Sequence, residues 1–151
     1  MIKRTSFLVL MLGVLLATGP VQAGDGFTLE SVQGTWGFTT PGSIGGVPVS
    51  AVGRTVFDGA GGCETTATLN LGGTLIPLTS AAPGGQCAYT VNLNGAGAVK
   101  VTFIDPSENP SDFRVSFVII DKETEYRFIT SDSAGQTVGV GVAKRQGGNA
   151  D

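Results

Sequence analysis

From Thr35 to Lys144 the chain is cut by turn-forming clusters roughly every ten residues, a spacing too short for ordinary helices and suited to strands. The cuts fall at Pro41-Gly42, Asp58-Gly59-Ala60-Gly61-Gly62, Gly72-Gly73, Pro83-Gly84-Gly85 and Asn94-Gly95-Ala96-Gly97. Farther on they fall in the polar run Asp105 to Asp112, at Asp121 to Thr124 and at Ser133 to Gln136. Glycine accepts the backbone angles of tight turns and proline cannot donate to a strand ladder, so such clusters end elements. What lies between is rich in Val, Thr, Phe and Ile, which fit a pleated surface. The expected strands are Thr35 to Thr40, Val49 to Phe57, Cys63 to Leu71, Thr74 to Thr79, Gln86 to Leu93, Ala98 to Ile104, Phe113 to Ile120, Glu125 to Thr130 and Thr137 to Lys144. Short links favour pairing between neighbours in sequence. The expected fold is therefore all-β, an antiparallel up-and-down meander barrel of about 8–9 strands, with a β-sandwich as the alternative.

Period-two alternation assigns the faces. Phe113, Val115, Phe117 and Ile119 point one way, and Arg114 and Ser116 the other. Tyr126 and Phe128 oppose Glu125 and Arg127, while Val99, Val101 and Phe103 oppose Lys100 and Thr102. Tyr89, Val91 and Leu93 oppose Thr90 and Asn92. The last strand differs, because Val138, Val140 and Val142 alternate with Gly139, Gly141 and Ala143. Residues that small admit a close neighbour or mark a bend.

Residues 1–23 have the layout of a secretory signal peptide. Lys3 and Arg4 are followed by the apolar run Phe7 to Ala17, by Thr18-Gly19-Pro20, and by Val21-Gln22-Ala23 at the expected cleavage point. The apolar run is well short of the roughly 20 residues that span a bilayer, and no later stretch offers a membrane span. The protein is thus expected to be secreted or periplasmic, with residues 24–146 forming the barrel domain and 147–151 a disordered tail. The whole chain has 9 basic and 12 acidic residues, and losing Lys3 and Arg4 makes it more acidic. The remaining bases are scattered and form no stripe that would neutralise a phosphate backbone, so nucleic acid is not an expected partner. In an oxidising compartment the two cysteines, Cys63 and Cys87, are expected to form a disulfide.

The chain contains no histidine, which removes the commonest general base and, with only two cysteines, the usual zinc ligands. No metal and no cofactor are expected. Glu64 reads as solvated strand face, with a cavity carboxylate as the sharper alternative. Asp105, Glu108 and Asp112 share one loop with Asn109 and two serines. Such oxygen donors suit calcium, yet their spacing matches no calcium loop, and an exposed turn has the same composition.

Gly34-Thr35-Trp36 opens the first expected strand. It resembles the Gly-x-Trp opening of the lipocalins and the wider calycin group of barrels. In that group the tryptophan plugs the closed end under a basic side chain from near the last strand. The resemblance implies a barrel-end lid of Trp36 and Arg145, with Lys144 beside it. A cation over an indole contributes about 0.5–2 kcal/mol. The closing Gly141-Val142-Ala143-Lys144-Arg145 also looks like the end of small secreted bacterial barrels of the allene-oxide-cyclase type.

Three functions fit this reading. The first is a barrel that binds a small hydrophobic molecule in its interior, lined by Trp36, Phe38, Tyr89, Phe103, Phe117, Tyr126 and Phe128. The second is a non-enzymatic structural or surface-interaction protein of the envelope or extracellular matrix. The third is a cofactor-free cyclase or isomerase that folds its substrate by cavity shape. No catalytic residue is assigned, and the oligomeric state is left open.

Overall fold

The structure, a computed structural model, describes residues 26–121, 124–132 and 137–147. The expected signal peptide, the turn at 133–136 and the last four residues of the expected tail lie outside the described residues. A single 3₁₀ turn, Leu29–Val32, leads into nine strands: β1 Gly34–Ile44, β2 Val47–Phe57, β3 Cys63–Leu71, β4 Thr74–Thr79, β5 Gln86–Val91, β6 Ala96–Ile104, β7 Pro110–Asp121, β8 Glu125–Asp132 and β9 Thr137–Arg145. All form one antiparallel sheet in the order β4-β3-β2-β1-β9-β8-β7-β6-β5, and β4 also meets β6. The sheet curls into a ring, so the architecture is a barrel and the sandwich alternative is set aside.

The ring closes through a seam in which β4 and β5 share one position. A ring whose neighbours all run antiparallel needs an even number of positions, and nine separate strands cannot supply one. Leu71 to Thr66 of β3 pair with Thr74 to Thr79 of β4, after which Gly62, just before β3, bridges Ala88 of β5. On the other side Thr79 of β4 faces Ile104 of β6, while Gln86 to Val91 face Thr102 to Gly97. Thus β4 and β5 lie end to end in the gap between β3 and β6 and run the same way. Ser80 to Gly85 links them, with Ser80 buried against Thr65 of β3. Nine strands fill eight positions. The disulfide Cys63–Cys87 ties β3 to β5 across this seam.

Local chemistry explains most boundaries. Gly45-Gly46 and Gly72-Gly73 take positive φ at both residues (56° and 81°, 57° and 94°), as a two-residue hairpin turn of the primed type requires. The sequence reading ends the first strand at Pro41-Gly42, whereas β1 runs on to Ile44. Pro41 still pairs with Ser50 of β2. On its other edge the β9 ladder is interrupted between Thr39↔Val142 and Gly42↔Gly139, where the proline has no N–H to give. A second correction concerns Leu93, read as core. β5 stops at Val91, and Leu93 lies in the following turn at 76% exposure.

The inward faces of β6, β7 and β8 follow the alternation. Val99, Val101, Phe103, Phe117, Ile119, Tyr126 and Phe128 are buried. In β9 the alternation runs against hydrophobicity. Val138 and Val140 are exposed, whereas Gly139, Gly141 and Ala143 face inward and are buried.

Candidate functional site

One end of the barrel is solid. The 3₁₀ turn brings Val32 over the opening, and Trp36 on β1 packs beneath it, both fully buried. The Trp36 indole donates from Nε1 to the Val32 carbonyl at 2.7 Å, which satisfies its only polar atom. Around it stand Phe57, Tyr89, Phe117, Ile119, Tyr126 and Ala143, all in one buried cluster. The rings meet tilted or edge-on: Phe57–Tyr89 at 4.7 Å, Trp36–Tyr126 at 5.0 Å and Phe117–Tyr126 at 5.2 Å between centroids. Tyr89 donates its hydroxyl to the Leu29 carbonyl at 3.1 Å, fastening the 3₁₀ turn to β5. Arg145 lies over the Trp36 ring at 4.7 Å and donates to the carbonyls of Gln33 at 2.6 Å and Ser31 at 3.4 Å. Lys144 instead points outward, 3.9 Å from Glu125.

The other end is open over a cavity of about 100 Å³. Its aromatic wall consists of Phe38, Phe103, Phe113 and Phe128, and its aliphatic wall includes Leu69, Leu78, Val99 and Val101. Glycines keep this lumen clear. A Cβ on Gly141 would strike the Phe128 ring, and one on Gly53 would strike the Phe38 ring. Both rings therefore lie back against backbone where a side chain would otherwise push them inward. Phe38 and Phe128 then meet edge-on at 6.0 Å.

Polar groups in the lining are hydroxyls. Thr55 and Thr65 hydrogen-bond each other at 2.9 Å, and Thr65 also approaches the Cys87 sulfur at 3.5 Å. Thr40, Thr130 and Thr137 stand nearer the mouth. Tyr126 forms the floor, between the cavity and the aromatic plug. Burial alone drives its phenol far above the ordinary value of 10.0. Among the described lining residues none carries an acidic or basic side chain.

The seven residues named from the sequence thus divide. Phe38, Phe103, Tyr126 and Phe128 line the cavity, while Trp36, Tyr89 and Phe117 pack into the plug. The sequence reading missed Phe113 and the threonines Thr55, Thr65 and Thr130 as lining. Their inward register was the only available signal, and an inward threonine looks like a gap in an apolar pattern.

The carboxylates lie elsewhere. Glu64 is exposed on the outer face of β3 and contributes nothing to the lumen. Asp105 is consumed by its own loop, accepting from the Ser107 and Asn109 amides at 2.8 and 2.9 Å. Those bonds, from Asn109 first, hold its carboxyl below the ordinary value. Asp112 accepts from the Thr102 hydroxyl at 2.7 Å. Among the described residues no three acids or thiols gather as a metal site would need. No described helix is long and apolar enough to cross a membrane.

No protein-family model matches the chain, and no curated protein matches it. Solved structures do. A redesigned β-barrel, mFAP1, bound to DFHBI, superposes with a TM-score of 0.54 at 17% identity, covering 78% of this chain and 98% of that one. A second structure, EF1p2_mFAP2b bound to DFHBI, superposes with a TM-score of 0.51 at 14% identity, covering 79% and 97%. At such identities the likeness is one of fold, and the fold is a β-barrel.

Proposed function

We propose that this protein is an exported carrier or receptor for a small apolar molecule held inside the barrel. The observation behind this reading is the open-mouthed cavity, walled by Phe38, Phe103, Phe113, Phe128 and aliphatic side chains, above a sealed plug. Two barrels of similar fold are described bound to DFHBI, which supports the lumen as a place for a ligand. The Trp36–Arg145 stack at the closed end supports kinship with the calycin barrels. The leader-like residues 1–23 and the Cys63–Cys87 bond support secretion or a periplasmic address, with 24–146 as the working domain. The cyclase reading draws no support from Glu64, which faces solvent.

A second reading, a surface-interaction protein, draws on one observation. Val118, Ile120, Ile129, Val138 and Val140 are exposed on the outer faces of β7, β8 and β9. Native mass spectrometry of protein purified from its own host separates the two. The carrier reading expects an added small-molecule mass that organic solvent releases. A bare barrel, purified without detergent and unable to take up small aromatic probes, would overturn it.

A further inference from the structure

At the cavity floor the Tyr126 hydroxyl differs from the polar groups around it. Thr55 and Thr65 satisfy each other, and the Trp36 N–H and the Tyr89 hydroxyl in the plug donate to main-chain carbonyls. The Tyr126 residue is 4% exposed, and its hydroxyl has no hydrogen-bond partner among the described residues. No fully enclosed side-chain N or O atom there lacks a partner, so this oxygen must adjoin open space. Tyr126 lies deep in the barrel, and the open space it borders is the cavity. The hydroxyl has no protein partner among them and can be reached from the cavity, so a ligand acceptor there would take its hydrogen bond. Because the ring draws density from its oxygen, a neutral phenol donates more strongly than it accepts.

Size and shape narrow the ligand further. A cavity near 100 Å³ is smaller than the roughly 300–1,000 Å³ of drug-sized sites, and closer to the roughly 150 Å³ that admits benzene. The surrounding Phe38, Phe103 and Phe128 rings favour a flat partner.

We propose that Tyr126 anchors the ligand, donating from the cavity floor to the carbonyl oxygen of a single-ring aryl ketone or aldehyde whose ring stacks among the phenylalanines. This assignment rests on the carrier reading above and adds a chemical class to it. Any tail on the ligand would leave through the mouth between Ile44, Val49 and Leu69.

The test uses two near-isosteric probes, 4-fluoroacetophenone and 1-ethyl-4-fluorobenzene, titrated by fluorine NMR against the wild-type protein and Tyr126→Phe. The ketone is expected to bind the wild type and to lose roughly five- to tenfold in affinity in the variant. The ethyl compound should bind both proteins alike. In the wild type, the bound carbonyl carbon of carbon-13-labelled ketone should lie downfield of its position in alkane solvent, a readout that does not require the variant to fold. A ketone that keeps its affinity in Tyr126→Phe, equal losses for both probes, or a bound carbonyl at its alkane position would overturn the anchor while leaving the carrier reading intact. If neither probe binds the wild type the anchor falls, and the carrier reading falls with it only if native mass spectrometry also shows a bare barrel.

Discussion

Tyr89 and Tyr126 are the chain's two tyrosines, and burial is the first cause that lifts both phenols above 10.0. For Tyr89 the rise is opposed by hydrogen bonds at Gly61 and Gly59 and reinforced by the Asp58 carboxylate. A folded value above the unfolded one means that each group's contribution is fully present below pH 10. It is lost as pH rises beyond that, because the unfolded chain ionises first. Phenolate absorbance at 295 nm should therefore be less than half developed at pH 10, where a free tyrosine is half ionised. Tyr89 should titrate next, and Tyr126 only with unfolding. A half-complete rise at pH 10 in the folded protein would contradict this. Gly141 makes a second residue-scale case. The Phe128 ring covers it and is itself held by Phe38 and Tyr126, so an added methyl has no soft neighbour to displace. Gly141→Ala should cost about 1–3 kcal/mol in urea unfolding and should weaken probe binding by turning Phe128 into the lumen.

At the scale of elements, the seam between β3 and β6 should be the weakest closure of the ring. β4 contributes one residue pair to β6, and β5 contributes one bridge to the start of β3, while other neighbours share long ladders. The disulfide compensates. It closes a loop of 24 residues, which restricts the unfolded chain by about 3–4 kcal/mol on an entropy account. The double variant Cys63→Ala, Cys87→Ala should lose stability of that order. In hydrogen exchange it should release the amides of Thr65 and Tyr89, which bond to Ser80 and Gly61 across the seam, before those of β1 and β9. Uniform release around the ring would contradict that order.

This seam also marks the limit of what local sequence reveals. The alternation in β6, β7 and β8 exposed their inner faces, because Lys100 and Thr102, Arg114 and Ser116, and Glu125 and Arg127 alternate with large apolar residues there. In β9 the same rule misleads about which face is inner, since Val138 and Val140 look like core while Gly141 gives way to the Phe128 ring and Gly139 to the hydroxyls of Thr40 and Thr130. Nor does any local signal show that β4 and β5 share a position, because that follows from ring closure. The cavity was legible through Phe38, Phe103, Tyr126 and Phe128, four of its five aromatics. The other three residues named, Trp36, Tyr89 and Phe117, filled the plug, a division set by height along the barrel axis, which residue type does not encode.

On the scale of the whole molecule, the barrel has a sealed end and an open end, and Arg145 joins the chain's late and early segments at the sealed one. From the end of β9 it reaches the carbonyls of Ser31 and Gln33, flanking the 3₁₀ turn's last residue, and covers Trp36. The planar fork matters as well as the charge, since a lysine ammonium cannot span two carbonyls and lie flat on an indole together. Arg145→Ala should therefore lower the unfolding free energy by about 1–3 kcal/mol and shift the emission of Trp36, the chain's one tryptophan, to the red as water reaches it. Arg145→Lys should fall between the two. The mouth lies at the other end, so these variants should change probe affinity less than Tyr126→Phe does. If Arg145→Ala instead abolished binding while leaving the melting temperature unchanged, plug and cavity would have to be treated as one site.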